Sequence, residues 1–135
     1  MSFHLNHIMR TPNERWLAWV PALIWLVFIT VLSVLPSVQL PQFDLFASDK
    51  LGHAMAYAGL TGLALLALRR QSGQAPSGRS SFLFFLFAAG YGALMEFIQG
   101  AFLPNRAFEL DDMLANTFGA AIGWAIAYLL FRLKP

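Results

Sequence analysis

Hydrophobic positions along this chain gather into four long runs separated by short polar breaks. Residues 16–35 hold twenty positions without a charge, enough for a helix to cross a hydrocarbon layer of about 30 Å. Further runs at 51–68, 82–102 and 113–131 each have the same capacity. The breaks carry their own chemistry. Residues 36–48 contain Pro36 and Pro41 and alternate apolar with polar side chains, which predicts an irregular or interfacial connection ending at Asp49. Residues 69–80 combine Gly, Ser and Pro with Arg69, Arg70 and Arg79 and no acid, the composition of a flexible loop. Leu103, Pro104 and Asn105 interrupt the third run before the acidic group Glu109, Asp111 and Asp112. The expected architecture is all-α: one integral membrane four-helix bundle over residues 1–135, with no internal repeat.

Composition strengthens that reading. Of the residues, 58% are hydrophobic and 12% charged, and the mean hydropathy is +0.58, well outside the range of an ordinary soluble domain. A cleaved signal peptide is the competing reading of the first run, because Arg10 and Arg15 precede it. The run is nevertheless longer than the usual apolar core of roughly 7–15 residues, and no small-residue cleavage site follows. The chain has no cysteine, which excludes disulfides, thiolate ligands and a Cys nucleophile. A net charge of +2 does not imply a nucleic-acid partner, because the bases sit in short clusters at the ends of the apolar runs.

Those clusters predict orientation. Arg10, Arg15, Arg69, Arg70, Arg79, Arg132 and Lys134 fall on one side of the membrane and only Lys50 and Arg106 on the other. By the positive-inside rule both termini are cytoplasmic, in a multi-pass protein of the cytoplasmic membrane, and the first and third connections face outward.

The polar residues near the outward ends then become the candidates for function. An ionisable group at the centre of a membrane helix costs roughly 2.5–3.5 kcal/mol on insertion scales, so a cluster of them calls for a reason. Asp49 and Lys50 lie one turn before His53, Glu96 and Gln99 share a face, and Asp112 and Asn116 are one turn apart. Glu96 lies six residues inside the end of its run, about 9 Å below the rim. At that depth it is expected to be neutral, hydrogen-bonded or paired inside the bundle. Small residues point the same way: Ala115, Gly119, Gly123 and Ala127 in the fourth run, Gly52, Ala56 and Gly59 in the second, and Ala89, Ala93 and Gly100 in the third.

Each polar residue also has a plain structural reading. Asp49, Asp111 and Asp112 suit helix N-termini, Lys50 and Arg106 suit snorkelling anchors, Asn116 suits an interhelical hydrogen bond, His53 a packing role, and Glu109 a solvated surface. Glu96 resists such treatment, having no structural partner adjacent in sequence.

The runs DKLGHAMAY (49–57), ALMEFIQ (93–99) and DDMLANTFGAAIG (111–123), with Arg106 and the preceding VLSVLPSVQLP, resemble the successive signatures of the VanZ-like membrane proteins. The resemblance spans about residues 30–123 and implies bacterial origin and a four-span domain. It also implies recurrent polar positions at Asp49, Lys50, His53, Glu96, Gln99, Arg106, Asp112 and Asn116, and a link to sensitivity to the glycopeptide teicoplanin.

Three function classes follow. In the first, the outward end binds or modifies an anionic lipid or cell-envelope precursor. Lys50 and Arg106 would hold the anion, with Gln99, Asn116 and Asp49 lining the site. If chemistry occurs there, Glu96 would serve as general acid or base, His53 as proton partner and Asp112 as its orienter or a second carboxylate. In the second, the same ring recognises a head group without turnover, as a binding or permeability factor. In the third, it only locks the helices. No cofactor or metal is assigned: His53, Glu96 and Asp112 offer one imidazole and two carboxylates, but there is no HExxH or paired-His spacing, and His4 and His7 belong to the opposite side. The expectation shared by the first two classes is that His53, Glu96, Arg106 and Asp112 meet in one pocket. Whether the chain is an enzyme, and its oligomeric state, stay open.

Overall fold

A computed structural model of the chain describes residues 12–35 and 45–133. All regular structure among them is helical: α1 (Pro12–Leu17), α2 (Val20–Val34), α3 (Leu45–Ser72), α4 (Gly78–Phe102) and α5 (Leu110–Leu133). Four stretches are long and apolar enough to cross a membrane: Arg15–Val34, Asp49–Ser72, Gly78–Phe102 and Leu110–Leu133.

The first of these is not one continuous helix. Pro21 has no amide hydrogen and its ring collides with the carbonyl four residues back, so the helical ladder stops at Leu17 and resumes at Val20 with Pro21 in its first turn. The step between is a tight turn in which the Ala18 amide donates to the Arg15 carbonyl and the Trp19 amide to the Trp16 carbonyl.

The other three helices outrun their apolar segments. α3 is already helical at Leu45, so the irregular connection expected over 36–48 ends earlier; residues 36–44 lie outside the described part. At its far end α3 continues through Arg69 and Arg70, which favour the negative end of the helix dipole. It stops at Gly73, whose φ of +71° is the left-handed conformation that glycine adopts without strain. α4 starts at Gly78 because Ser77 caps it, its hydroxyl accepting from the Ser80 amide at 3.1 Å. The loop expected over 69–80 is therefore reduced to residues 73–77. Apolar runs report the thickness of hydrocarbon, whereas helical hydrogen bonding carries on past its edge until a cap or a left-handed residue ends it.

Packing centres on α3 against α5. Gly119 sits directly on the backbone of Ala54, and Gly123 on that of Ala58. Lipid offers no hydrophobic drive to join two apolar helices, so close backbone approach through small residues supplies the contact. Ile29, Tyr57, Leu60, Ala88 and Ala120 form the buried core, with Trp25, Phe85 and Tyr91 packed around it. α2 lies at the periphery, burying only Ala22 and Ile29. It is tied by the Trp25 indole donating to the Ala56 carbonyl at 2.8 Å and the Trp19 indole donating to Gln71 Oε1 at 2.9 Å. Its exposed Leu23, Ile24, Val27 and Leu32, like Phe118 and Leu129 on α5, present the apolar surface that acyl chains would solvate.

Candidate functional site

The second and third turns of α3 and the first turn of α5 come together at one end. The Asp112 and Met113 amides both donate to the Glu109 carbonyl, which sets Asp111 and Asp112 in the opening turn of α5, where the helix dipole favours a negative charge. Lys50 reaches across from α3, its ammonium 3.4 Å from Asp111 Oδ2 and 3.4 Å from Asp112 Oδ1. The second oxygen of Asp112 faces His53: Oδ2 is 3.5 Å from Nε2, while Asp49 Oδ1 lies 3.9 Å from the same nitrogen. On the other side of the ring, His53 Nδ1 is 3.0 Å from Asn116 Oδ1. Because a carbonyl oxygen only accepts, Nδ1 carries the proton, and in a neutral ring Nε2 presents its lone pair to the two aspartates.

α4 completes the arrangement from beneath. Glu96 is 2% exposed, and the groups acting on its carboxyl are His53, Asp112, Glu109 and the backbone amide of Glu109. Asp112 and Asn116 are buried beside it. His53, Glu96 and Asp112, drawn from three helices, thus share one neighbourhood, with Lys50, Asn116 and Asp49 bordering it.

Gln99 and Arg106 do something different. The last carbonyls of a helix have no partner within it, and at the end of α2 those groups are met from α4 and the following loop. Gln99 Nε2 donates to the Ser33 carbonyl at 2.9 Å and Arg106 Nη2 to the Leu35 carbonyl at 3.0 Å. Arg106 Nε is buried, with no hydrogen-bond partner among the described residues. Lys50 is turned to the aspartates of α5 and Arg106 Nη2 to the end of α2. The short connection 103–109 explains the turn: Asn105 takes a left-handed φ of 63° and Phe108 folds back onto Gly100. A methyl group at Gly100 would come within 2.7 Å of the Phe108 backbone nitrogen. Replacing Gln99 by Leu removes one buried helix-end bond and is expected to cost about 1–2 kcal/mol, read as a lower denaturation midpoint in detergent with no change in lipid content.

Two neighbours of the cluster escape attention in the sequence, Tyr57 and Gly92. Tyr57 is 3% exposed. A Cβ at Gly92 would fall 2.8 Å from Asn116 Cβ and 3.1 Å from Tyr57 Cε1, so the missing side chain is what lets Asn116 reach His53. Each lies one turn from a candidate, Tyr57 from His53 and Gly92 from Glu96, and that spacing is the signal by which they are found. The carbonyls of Ser33 and Leu35 leave no such trace.

A groove of about 760 Å³ runs from the cluster along the outer face of α3 and α5. Lys50 and Asp111 stand at its polar end, and Leu51, Ala54, Leu114 and Phe118 line the rest.

The chain matches the family described as VanZ/LLP1 over residues 3–132. The chain belongs to the VanZ-like family. It is a multi-pass membrane protein of that family, and the match covers nearly its whole length. Comparison with curated proteins and with solved structures returned no match.

Proposed function

We propose that this VanZ-like protein binds a lipid or lipid-linked envelope precursor carrying an anionic head group, and that the polar end of α3 and α5 is the head-group site. The observation that carries this reading is the groove: a largely apolar trough of about 760 Å³ has an ammonium group in its lining. Lys50 is a compact point charge suited to a phosphate or carboxylate, and Asp111 and Asp112 hold it at the mouth. Leu114 and Phe118 supply the contact for the tail. In this reading His53, Glu96 and Asp112 are the groups placed to exchange a proton with a bound head, while Gln99 and Arg106 fix α2 against the bundle. Family membership is consistent with a role in glycopeptide sensitivity, and occupancy of this groove by an envelope precursor is how the chain would exert it.

The test is lipid extraction from protein purified out of its native membrane, followed by mass spectrometry. An enriched anionic species in the wild type, lost in Lys50→Gln while total lipid stays constant, supports the proposal; identical lipid profiles in both refute it. Incubation with that species separates binding from turnover by whether the head group changes.

Orientation belongs to the same proposal. Arg69, Arg70, Arg79 and Arg132 gather at the end opposite the cluster, with the Arg69 guanidinium 4.8 Å from the Phe131 ring centre. If that end is cytoplasmic, a tag near Gly73 is protected from outside reagents and one near Asn105 is labelled. The reverse pattern would place the head-group site in the cytosol.

A further inference from the structure

The geometry points to a second ligand at this end: a first-row divalent cation held by Asp49, His53 and Asp112. One ligand atom from each of the three lies within 4.8 Å of the others. Ligands about 2.0–2.2 Å from a shared tetrahedral ion stand about 3.3–3.6 Å apart, so the 3.5 Å between His53 Nε2 and Asp112 Oδ2 already suits one, and Asp49, 3.9 Å from the same nitrogen, closes the set by drawing in its exposed side chain. The hydrogen-bond pattern leaves one ring nitrogen for an ion. Asn116 Oδ1 takes the Nδ1 proton of His53, and Nε2 faces the oxygens of Asp49 and Asp112 at 3.9 and 3.5 Å. Those distances are too long for a direct hydrogen bond. A ligating histidine is commonly held by a partner on its other nitrogen, which is the position Asn116 occupies.

Glu96 is a supporting observation. It is 2% exposed, no side chain among the described residues hydrogen-bonds it, and His53 and Asp112 act on its carboxyl. A buried carboxyl near other acids gains from positive charge in the cluster. Lys50 does not compete for the position, because it engages Asp112 through Oδ1 whereas Oδ2 faces His53. Asp49, with its side chain 63% exposed, gives an ion access from water. An imidazole with two carboxylates suits manganese, iron or zinc better than calcium or magnesium, which prefer oxygen alone. The inference does not depend on the lipid proposal, since the site needs no lipid to form.

The test uses full-length protein in detergent, stripped with a chelator and titrated with Mn²⁺ alone. Wild type is expected to bind one Mn²⁺ per chain, with a pulsed-EPR coupling from one imidazole nitrogen. Asp112→Asn and Asp49→Asn are expected to weaken binding by about tenfold or more, in line with losses of 10–100-fold seen even for supporting residues at metal sites. The exposed Asp49 variant keeps the test informative if changes at buried Asp112 impair folding. No stoichiometric Mn²⁺ in the wild type, an ion without nitrogen coupling, or undiminished binding in both variants would overturn the inference. Zn²⁺ should displace the bound Mn²⁺ competitively, and failure to do so also counts against it.

Discussion

Gly119→Ala is expected to be among the most damaging single substitutions in the bundle, although it adds only one methyl group. Helix propensity alone favours Ala over Gly by about 0.5–1 kcal/mol. Here the added carbon would overlap the Ala54 carbonyl, a backbone group that cannot swing aside as a side chain can. Gly123 meets the same obstacle at Ala58. Relief requires α3 and α5 to separate along their shared length, which also pulls Lys50 away from Asp112 and His53 away from Asn116. We expect about 3 kcal/mol or more of destabilisation, at or above the upper end for overpacking in a core, measured by denaturation in mixed micelles. Gly62→Ala is the control: nothing lies within 4 Å of the position its Cβ would take, so stability should hold or rise slightly. Equal stability of Gly119→Ala and Gly62→Ala would mean that α3 and α5 do not pack as described.

That seam was largely readable in the sequence, because glycines four apart on an apolar helix have few purposes other than close approach. The four spans were readable for the same reason: length and apolarity respond directly to the thickness of a membrane. The break at Ala18–Trp19 was signalled by Pro21 inside the first run, yet a run of twenty uncharged residues outweighed one proline. That His53 and Asp112 lie side by side, 3.5 Å apart, followed from two helices each carrying a polar residue at one level. The placing of Arg106 did not. A side chain on a short connection is aimed by the turn that precedes it and by whichever carbonyl lacks a partner, and neither the left-handed Asn105 nor the open end of α2 is written in a hydropathy pattern. Asp49 lies 3.9 Å from His53 Nε2, as one helical turn between them implies.

Glu96→Gln is expected to abolish the envelope phenotype, and any specific binding of head group or ion, while leaving the bundle intact. Gln keeps the shape of the side chain and an oxygen that can accept from the Glu109 amide, the backbone group that faces Glu96. The stability cost is therefore expected to stay within about 1 kcal/mol. What disappears is the ionisable carboxyl near His53 and Asp112, the one feature that an amide cannot supply. Glu96→Leu separates shape from polarity: it removes the acceptor of the Glu109 amide along with the carboxyl and is expected to cost about 0.5–1.5 kcal/mol in addition to the loss of function. If the cluster serves only to join helices, the order reverses, with Glu96→Gln fully functional and any defect in Glu96→Leu tracking its stability. Measuring phenotype and denaturation midpoint on the same two variants decides between them, because a locking role ties function to stability and a binding role divides the two.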